Sequence, residues 1–564
     1  MKSNAAINNI SVLWQLADWQ ALASFTEADL EHQNNKAEYA LMIVNALLHQ
    51  QQIQPAGRWL KWAKKQGATQ EQITKYLLAS LKQTLAEISL LQGETTKAKQ
   101  QLIEAFESLQ ENVPSESVLE AQIKQFTLKQ STNKYVAKQI AHINLGQAWA
   151  GNSVNTVIFR SHAVFTHQNQ QYTAFYVDGQ TLRLVKRDLQ TNEIQTHDLK
   201  GEYNLKDAHN SISLGMDRQG YLHISFDHHG TQLNYRRTLE PSQINAWTDS
   251  LPMTGNNEQK VTYPTFILPQ AHTPLLILYR DGNWKQGQAY LKYYDEALKS
   301  WFDYPTPILS GAEQKPWTSN AYWNHPAMGE QGVLHLSFTW RTDYFSEEQL
   351  VSNINMDYAK SYDHGLSWVG SHNQPFKLPI TPANSETVWP IAPGSNHINQ
   401  TSMALDSKGY PHIVFYANDE QVIPQYQHLW FDGKTWQKTQ VSQRTKPFKL
   451  AGGGTLEIPI SRPEIVIDKE DTVFVIYRSQ ETQQKLVTTY LQAPAYKSIP
   501  ENTLVLWEES VGQAEPIIDR IRWAQEQVLT LLVQYNEQPN GDLQHQNTQT
   551  DIQLIDIKFK KEIS

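Results

Sequence analysis

A polar turn of the Asp-x-x-Gly kind, followed at once by a strand of alternating hydrophobicity, recurs in this chain from about residue 150 onward. It reads "MDRQGYLHISF" at 216–226, "MGEQGVLHLSF" at 328–338, "LDSKGYPHIVF" at 405–415 and "IDKEDTVFVIY" at 467–477, with weaker copies at 168–177, 268–279 and 521–535. Seven copies spaced roughly 50 to 80 residues apart mark a repeat architecture, in which no unit can bury its apolar face alone and each must stack on its neighbours. A four-stranded blade uses about that length of chain, and seven blades lie within the range over which such sheets close around an axis. A two-sheet sandwich is the alternative, but the repetition favours radial packing. The expectation is an all-β seven-bladed β-propeller over 146–564.

The first 145 residues follow a different period. In "TQEQITKYLLASLKQTLAEISLLQG", Thr69 and Gln72 form a capping-box pair, Ile73, Leu77, Leu78, Leu81, Leu85, Ile88 and Leu91 recur every three or four residues, and Gly93 supplies a stop. A second helix follows in "TTKAKQQLIEAFESL", with Ala98, Leu102, Ile103, Phe106 and Leu109 on one face. The spacing predicts an all-α domain of helical hairpins resembling tetratricopeptide repeats over 1–145, which serves as a prop for the propeller or as a docking surface for a protein partner.

Composition narrows the function. A net charge of -9 lacks the basic excess that nucleic-acid binding uses, so no nucleic-acid partner is expected. The absence of cysteine excludes disulfides, thiolate metal sites and cysteine nucleophiles. Apolar runs such as "LMIV" (41–44) and "LTLLV" (529–533) are far shorter than a membrane span, and the start lacks the pattern of a secretion signal. Cytoplasm and periplasm both fit.

Within each blade the first and second strands form a hairpin, so the beginning of the first and the end of the second meet on one face. Residues expected before first strands are His209, Tyr263, His325, Asn399, Gln400 and Arg462; those expected after second strands are His228, His229, Arg280, Arg341 and Arg478. The set is His, Tyr, Arg, Asn and Gln without carboxylates, in a protein that is acidic overall, and such a rim suits an anion. Trp284, Trp317, Trp323 and Trp389 are candidates for stacking on sugars. Each arginine also has a plainer reading as the partner of an aspartate in a neighbouring turn. His223, His335 and His412, inside strands at one repeat position, read as packing residues.

These side chains match the needs of β-elimination at a uronic acid. The reaction requires neutralisation of a carboxylate, a base for the C5 proton and an acid for the departing glycosidic oxygen. Arginine grips a carboxylate through two charge-assisted hydrogen bonds, and histidine, or a tyrosine whose pKa is lowered by a nearby arginine, suits the other two roles. The stretch "SYDHGLSW", with Ser361, Asp363, Gly365, Ser367 and Trp368, completes the Asp-box (BNR) pattern. With "DAHNSIS", "FDHHG", "VTYPTF", "LYRDG" and "AGGGTLEIPISRPEIVID", the chain from about 150 onward resembles BNR-repeat propellers that include bacterial ulvan lyases. The resemblance implies a polysaccharide lyase acting on a sulfated, uronate-containing glycan, a periplasmic or secreted location, and roles for four residues. His209 and His229 would be the histidines at the reacting sugar, Tyr263 the base or acid, and Arg280 the carboxylate clamp. Arg341, His325, Asn399, Arg462 and Trp284 are expected to bind substrate. No cofactor is required, although a structural calcium or zinc held from separate loops would leave no signature in spacing. A sialidase would show Phe-Arg-Ile-Pro near the first blade, where "IFRSHAVF" has Arg160 but no Ile-Pro. A uronate C5-epimerase would use the same residues, and a non-catalytic glycan-binding propeller is the alternative of a different class.

Overall fold

The computed structural model describes residues 10–50, 52–91, 94–109, 115–131, 133–270, 272–283, 286–311, 320–342, 350–539 and 548–563. They divide into two compact units, residues 1–135 with 561–564, and residues 136–560.

The smaller unit is helical. Lys36–His49, Ile53–Lys65, Gln70–Leu91, Thr95–Ser108 and Glu116–Ser131 are its longer helices. The capping box forms: the Thr69 N–H donates to Gln72 Oε1 at 2.9 Å and the Gln72 N–H to Thr69 Oγ1 at 3.1 Å. The buried side of the following helix is not the leucine stripe that its spacing predicts. Ile73, Tyr76, Ala79 and Ala86 face the core together with Ser80, Gln83 and Ser89, whereas Leu78 and Leu81 are 43% and 55% exposed. Small side chains let the partner helix, which buries Ala98, Leu102, Ala105 and Phe106, approach closely. Periodicity identifies an apolar stripe but not which stripe a neighbour covers. Gly93 lies outside the described residues. Among those described, no helix is long and apolar enough to cross a membrane.

The larger unit is a seven-bladed propeller. Its first six sheets run in chain order from a first strand outward, beginning with Val164–His167, Ser213–Met216, Val261–Ile267, Asn320–Trp323, Ser402–Leu405 and Glu464–Ile467. The seventh is composite: Ile517–Ile518, Leu529–Gln534 and Gln549–Ile563 are completed by Asn133–Trp149, which precedes the first blade. This pairing ties the two ends of the propeller sequence together and closes the ring.

Each repeated turn connects a first strand to a second, as its sequence requires. In the second blade the Tyr221 N–H donates to Asp217 Oδ1 at 2.9 Å, and in the fifth the Tyr410 N–H donates to Asp406 Oδ1 at 2.8 Å. Aspartate is favoured here because its carboxylate caps the backbone of the turn. The Asp-box instead joins the third and fourth strands of the fourth blade. The Ser367 N–H donates to Asp363 Oδ1 at 2.8 Å, and the buried Trp368 indole donates to the Gly365 carbonyl at 3.1 Å. The in-strand histidines are buried and bonded, His223 to the Tyr235 hydroxyl at 2.7 Å and His335 to the Tyr358 hydroxyl at 2.6 Å. At the join between first and last blades, Asp556 is 1% exposed and pairs with both Arg187 and Arg522 at 2.8 Å.

Candidate active site

Side chains from several blades converge on one cavity of about 260 Å3. His209 enters it from the loop before the second blade's first strand, and His229 from just after that blade's second strand. Tyr263 comes from the third blade's first strand and Arg280 from its second; Tyr322 and Arg341 come from the fourth blade, and Arg462 from just before the sixth blade's first strand. Asn399 and Gln400, from the loop before the fifth blade, also line it.

Tyr263 is aimed inward by a bulge. Leu278 pairs with Thr265 and Arg280 with Thr262, so Tyr263 and Pro264 together oppose Tyr279. Tyr263 takes a φ of 58°, a conformation that costs a bulky residue free energy and here re-aims its ring. Proline lacks an N–H, so it is tolerated at the bulge without loss of a ladder bond.

Arg280 is 2% exposed, and its Nε lacks a hydrogen-bond partner among the described residues. Its Nη1 donates to the Tyr322 hydroxyl at 3.3 Å, and its guanidinium lies 5.0 Å from the Tyr263 ring centre. No carboxylate among the described residues lies within ion-pair distance of it. A guanidinium so placed is only partly compensated and favours an incoming anion. Arg341 lies 5.0 Å from the Tyr322 ring centre, donating to Asn353 Oδ1 at 2.6 Å and Asn399 Oδ1 at 3.0 Å. Arg462 is committed to Glu515, with contacts of 2.7 and 2.8 Å. The charged lining is thus Arg280, Arg341, Arg462 and Arg478 against Glu515.

The two phenols respond differently to this field. Burial, reinforced by Tyr322, pushes the Tyr263 hydroxyl above the usual phenol pKa, and the arginines only partly offset it. Burial also opposes ionisation of Tyr322, but Arg341 and Arg280, with the Arg280 hydrogen bond, outweigh it and bring that phenol below its ordinary value. The arginines therefore carry Tyr322, but not Tyr263, below the ordinary phenol value. Tyr322 escaped the sequence reading because the fourth blade's first strand begins at Asn320, ahead of His325, and pairs again only briefly after it, at Ala327–Met328. Its signal was the aromatic pair in "NAYWNHP", beside the rim position assigned to histidine.

His209 and His229 stack with ring centres 4.2 Å apart. Both face Asp207: His209 Nδ1 lies 2.6 Å from Oδ1, and His229 Nδ1 lies 2.6 Å from Oδ2. Burial pushes the His209 pKa below that of free imidazole, and the Asp207 hydrogen bond opposes this. Asp207, His209 and His229 are also the His and carboxylate side chains among the described residues close enough together to share a cation. Both Nδ1 atoms are already at hydrogen-bond distance from the carboxylate, so a cation between them would have to break those bonds.

Of the expected substrate-binding residues, Arg341, Asn399 and Arg462 line the cavity. His325 does not. It sits in an adjoining crevice with Phe159, Trp323 and Gln400, and its Nε2 lies 2.6 Å from the Ile158 carbonyl, so its ring is used up in packing. Its displacement follows from the same shift of strand boundary that hid Tyr322. Trp323 is buried in the core and Trp389 carries Lys438 over its ring, 5.0 Å away. Trp284 and Trp317 lie outside the described residues. Arg160, the residue that a sialidase would place at the site, is buried and donates to the Ile212 carbonyl at 3.1 Å.

The larger unit is a seven-bladed propeller with a cationic, histidine-bearing cavity, and residues 170–444 match the family described as "BNR repeat-containing family member". Among solved structures, the fold is similar to that of the polysaccharide lyase Uly1, with a TM-score of 0.54 and 14% identity over 74% of this chain and 99% of that one. It is also similar to a polysaccharide lyase of family PL25, an ulvan lyase, with a TM-score of 0.52 and 13% identity over 68% of this chain and 93% of that one. The same kind of enzyme bound to -[GlcA(1-4)Rha3S]- gives a TM-score of 0.50 and 14% identity over 63% of this chain and 84% of that one. No curated protein matches the chain in sequence. The propeller architecture read from the repeats is thus the architecture of ulvan lyases.

Proposed function

We propose that the propeller is a polysaccharide lyase that cleaves a uronate-containing, sulfated, ulvan-like glycan by β-elimination. The observation that carries this reading is Arg280, a buried guanidinium with no carboxylate partner among the described residues, set beside two phenols and two imidazoles in one cavity. The glucuronate in the ligand of the ulvan-lyase neighbour is an anion of the kind Arg280 would take.

In this reading Arg280 binds the uronate carboxylate and stabilises the negative charge that develops when C5 loses its proton. His209 Nε2 is the base. As that proton leaves, its electron pair forms the C4–C5 double bond, the bond from C4 to the glycosidic oxygen breaks, and the oxygen takes a proton from the Tyr263 hydroxyl. A phenol held neutral by burial is suited to donate, and an imidazole of lowered pKa is free to accept at neutral pH. Tyr322, lowered by Arg341 and Arg280, supports the carboxylate clamp, and His229 flanks the reacting sugar. Arg341 and Asn399 would hold neighbouring polar or sulfated groups. No step passes through a metal or cofactor.

Incubation with a panel of acidic polysaccharides, ulvan included, tests the reading through ultraviolet absorbance of the unsaturated uronate product. Binding across the panel without product would leave a glycan-binding propeller, and exchange of the C5 proton without chain scission would indicate an epimerase; either result rejects the lyase.

A pH profile gives a further check. A base works only above its pKa, so a lowered His209 pKa keeps the enzyme active on the acidic side, with the falling limb of kcat/KM below the usual imidazole titration near pH 6.5. An acid works only below its pKa, so a raised Tyr263 pKa extends the alkaline plateau past pH 10. In Tyr322→Phe we expect kcat/KM to fall roughly tenfold to a hundredfold, the worth of a hydrogen bond to a charged group. An unchanged value would remove Tyr322 from the clamp.

A further inference from the structure

We infer that Asp207 is a positioning residue that fixes the tautomers of both cavity histidines at once, presenting two imidazoles with their Nε2 lone pairs free. The inference deepens the lyase reading and takes its functional meaning from it, but its geometry stands independently.

Asp207 offers one carboxylate oxygen to each ring at 2.6 Å, in both cases to Nδ1, and the backbone N–H of His209 donates to Oδ1 at 2.9 Å. One acid thus serves the histidine at the start of a hairpin and the histidine at its end. Burial opposes its ionisation, but the hydrogen bonds from His209 and His229 outweigh it and hold the carboxyl well below the usual carboxylate range. An ionised carboxylate only accepts hydrogen bonds, so each Nδ1 facing it must carry the proton. In each neutral ring Nε2 is then the acceptor. A lone histidine would interconvert its tautomers freely in water. The shared carboxylate removes that freedom from two residues together.

Stacking adds a constraint on charge. Two imidazolium rings with centres 4.2 Å apart would repel strongly at any effective dielectric of a protein interior. Arg280, which disfavours the charged form of His209, adds to the repulsion. The other ionisable groups nearby leave the balance unchanged: Tyr263 is held neutral, and Arg462 is paired with Glu515. His228, next in sequence to His229, turns away to the Ser225 hydroxyl at 3.0 Å. Asp207, bonded to both rings, therefore holds both in place and opposes the effect of burial at His209.

The experiment compares the full chain with Asp207→Asn, labelled with nitrogen-15 at histidine, by long-range proton–nitrogen correlation near neutral pH. The asparagine keeps the shape but replaces one acceptor oxygen with an amide N–H2 that must donate. The expected result is that both rings are Nδ1–H tautomers in the parent protein and that one switches to Nε2–H in the variant. Turnover of a responsive uronate glycan is expected to fall at least about a hundredfold in kcat, with KM changed by less than about threefold, because a base in the wrong tautomer still allows binding. Nε2–H tautomers in the parent, or an unchanged tautomer pair in a folded Asp207→Asn, would overturn the inference. A parent protein inert toward every uronan but with the expected tautomers would reject the lyase reading and leave the positioning role intact. Asp207→Glu, which keeps the charge, separates positioning from folding: it should restore the Nδ1–H tautomers, and failure to do so in a folded variant also counts against the inference.

Discussion

Replacing Arg280 with alanine is expected to abolish turnover of uronate glycans, with kcat/KM falling by at least about a thousandfold, or about 4 kcal/mol of transition-state stabilisation. The size follows from where the charge sits. Arg280 is almost completely buried, bonded to the Tyr322 hydroxyl, and without an opposing carboxylate among the described residues, so substrate carboxylate would meet a cation that water barely screens. The negative charge that develops on C5 deprotonation spreads onto that carboxylate, so the contact strengthens toward the transition state and the loss should fall mainly on kcat. Arg280→Lys keeps the charge but loses the planar fork, and should recover only part of the activity. A retained thermal midpoint would show that the loss is chemical, since the arginine also packs against the rings of Tyr263 and Tyr322. Activity within tenfold of the parent in Arg280→Ala would remove the carboxylate clamp from the mechanism.

The second large effect concerns stability. Asp556→Ala is expected to destabilise the propeller by about 3 to 5 kcal/mol, because it leaves Arg187 and Arg522 as buried cations with their shared anion removed. Asp556 lies in the strand Gln549–Ile563 of the closing blade, Arg187 in the third strand of the first blade and Arg522 in the helix Arg520–Glu526, so the loss falls on the seam where the ring closes. Thermal or denaturant unfolding checks this, with Asp556→Asn as a milder variant that keeps the volume. A pH dependence follows from the same contacts. Burial opposes ionisation of Asp556, but the two arginines outweigh it and hold its pKa below that of an unfolded aspartate near 3.9. The folded state then binds this proton less readily than the unfolded state. The stabilisation is therefore complete above the unfolded pKa and disappears as pH falls through the lower folded value. Unchanged stability in Asp556→Ala would mean that the seam is held by its apolar contacts alone.

The blades were legible in the sequence because each turn needs a side chain that caps it. Asp217, Asp406 and Asp468 recur at the position where a carboxylate satisfies the turn's backbone N–H groups, and that chemistry is local. The convergence of His209, His229, Tyr263 and Arg280 was legible because hairpin ends are geometrically tied to one face. Legibility failed where a strand boundary shifted. The first strand of the fourth blade begins at Asn320, so the inward residue is Tyr322 and His325 is turned into packing. It failed again where two groups oppose each other quantitatively. Proximity of arginine to tyrosine gives the sign of one interaction, but burial decides the result at Tyr263 and loses at Tyr322. In the helical unit, five large aliphatics of one helix lie exposed while Ala79, Gln83 and Ala86 are buried, because close packing selects small residues and a hydrophobic count does not.

Cleavage carried out in water enriched in heavy oxygen, with mass analysis of the fragments, tests the central claim most directly. Elimination breaks the bond between C4 and the glycosidic oxygen without adding water, so the account predicts fragments that carry no heavy oxygen, each cut leaving one end with an unsaturated uronate. Incorporation of one heavy oxygen at every cut would identify hydrolysis and contradict the assignment of Arg280, His209 and Tyr263 to a lyase.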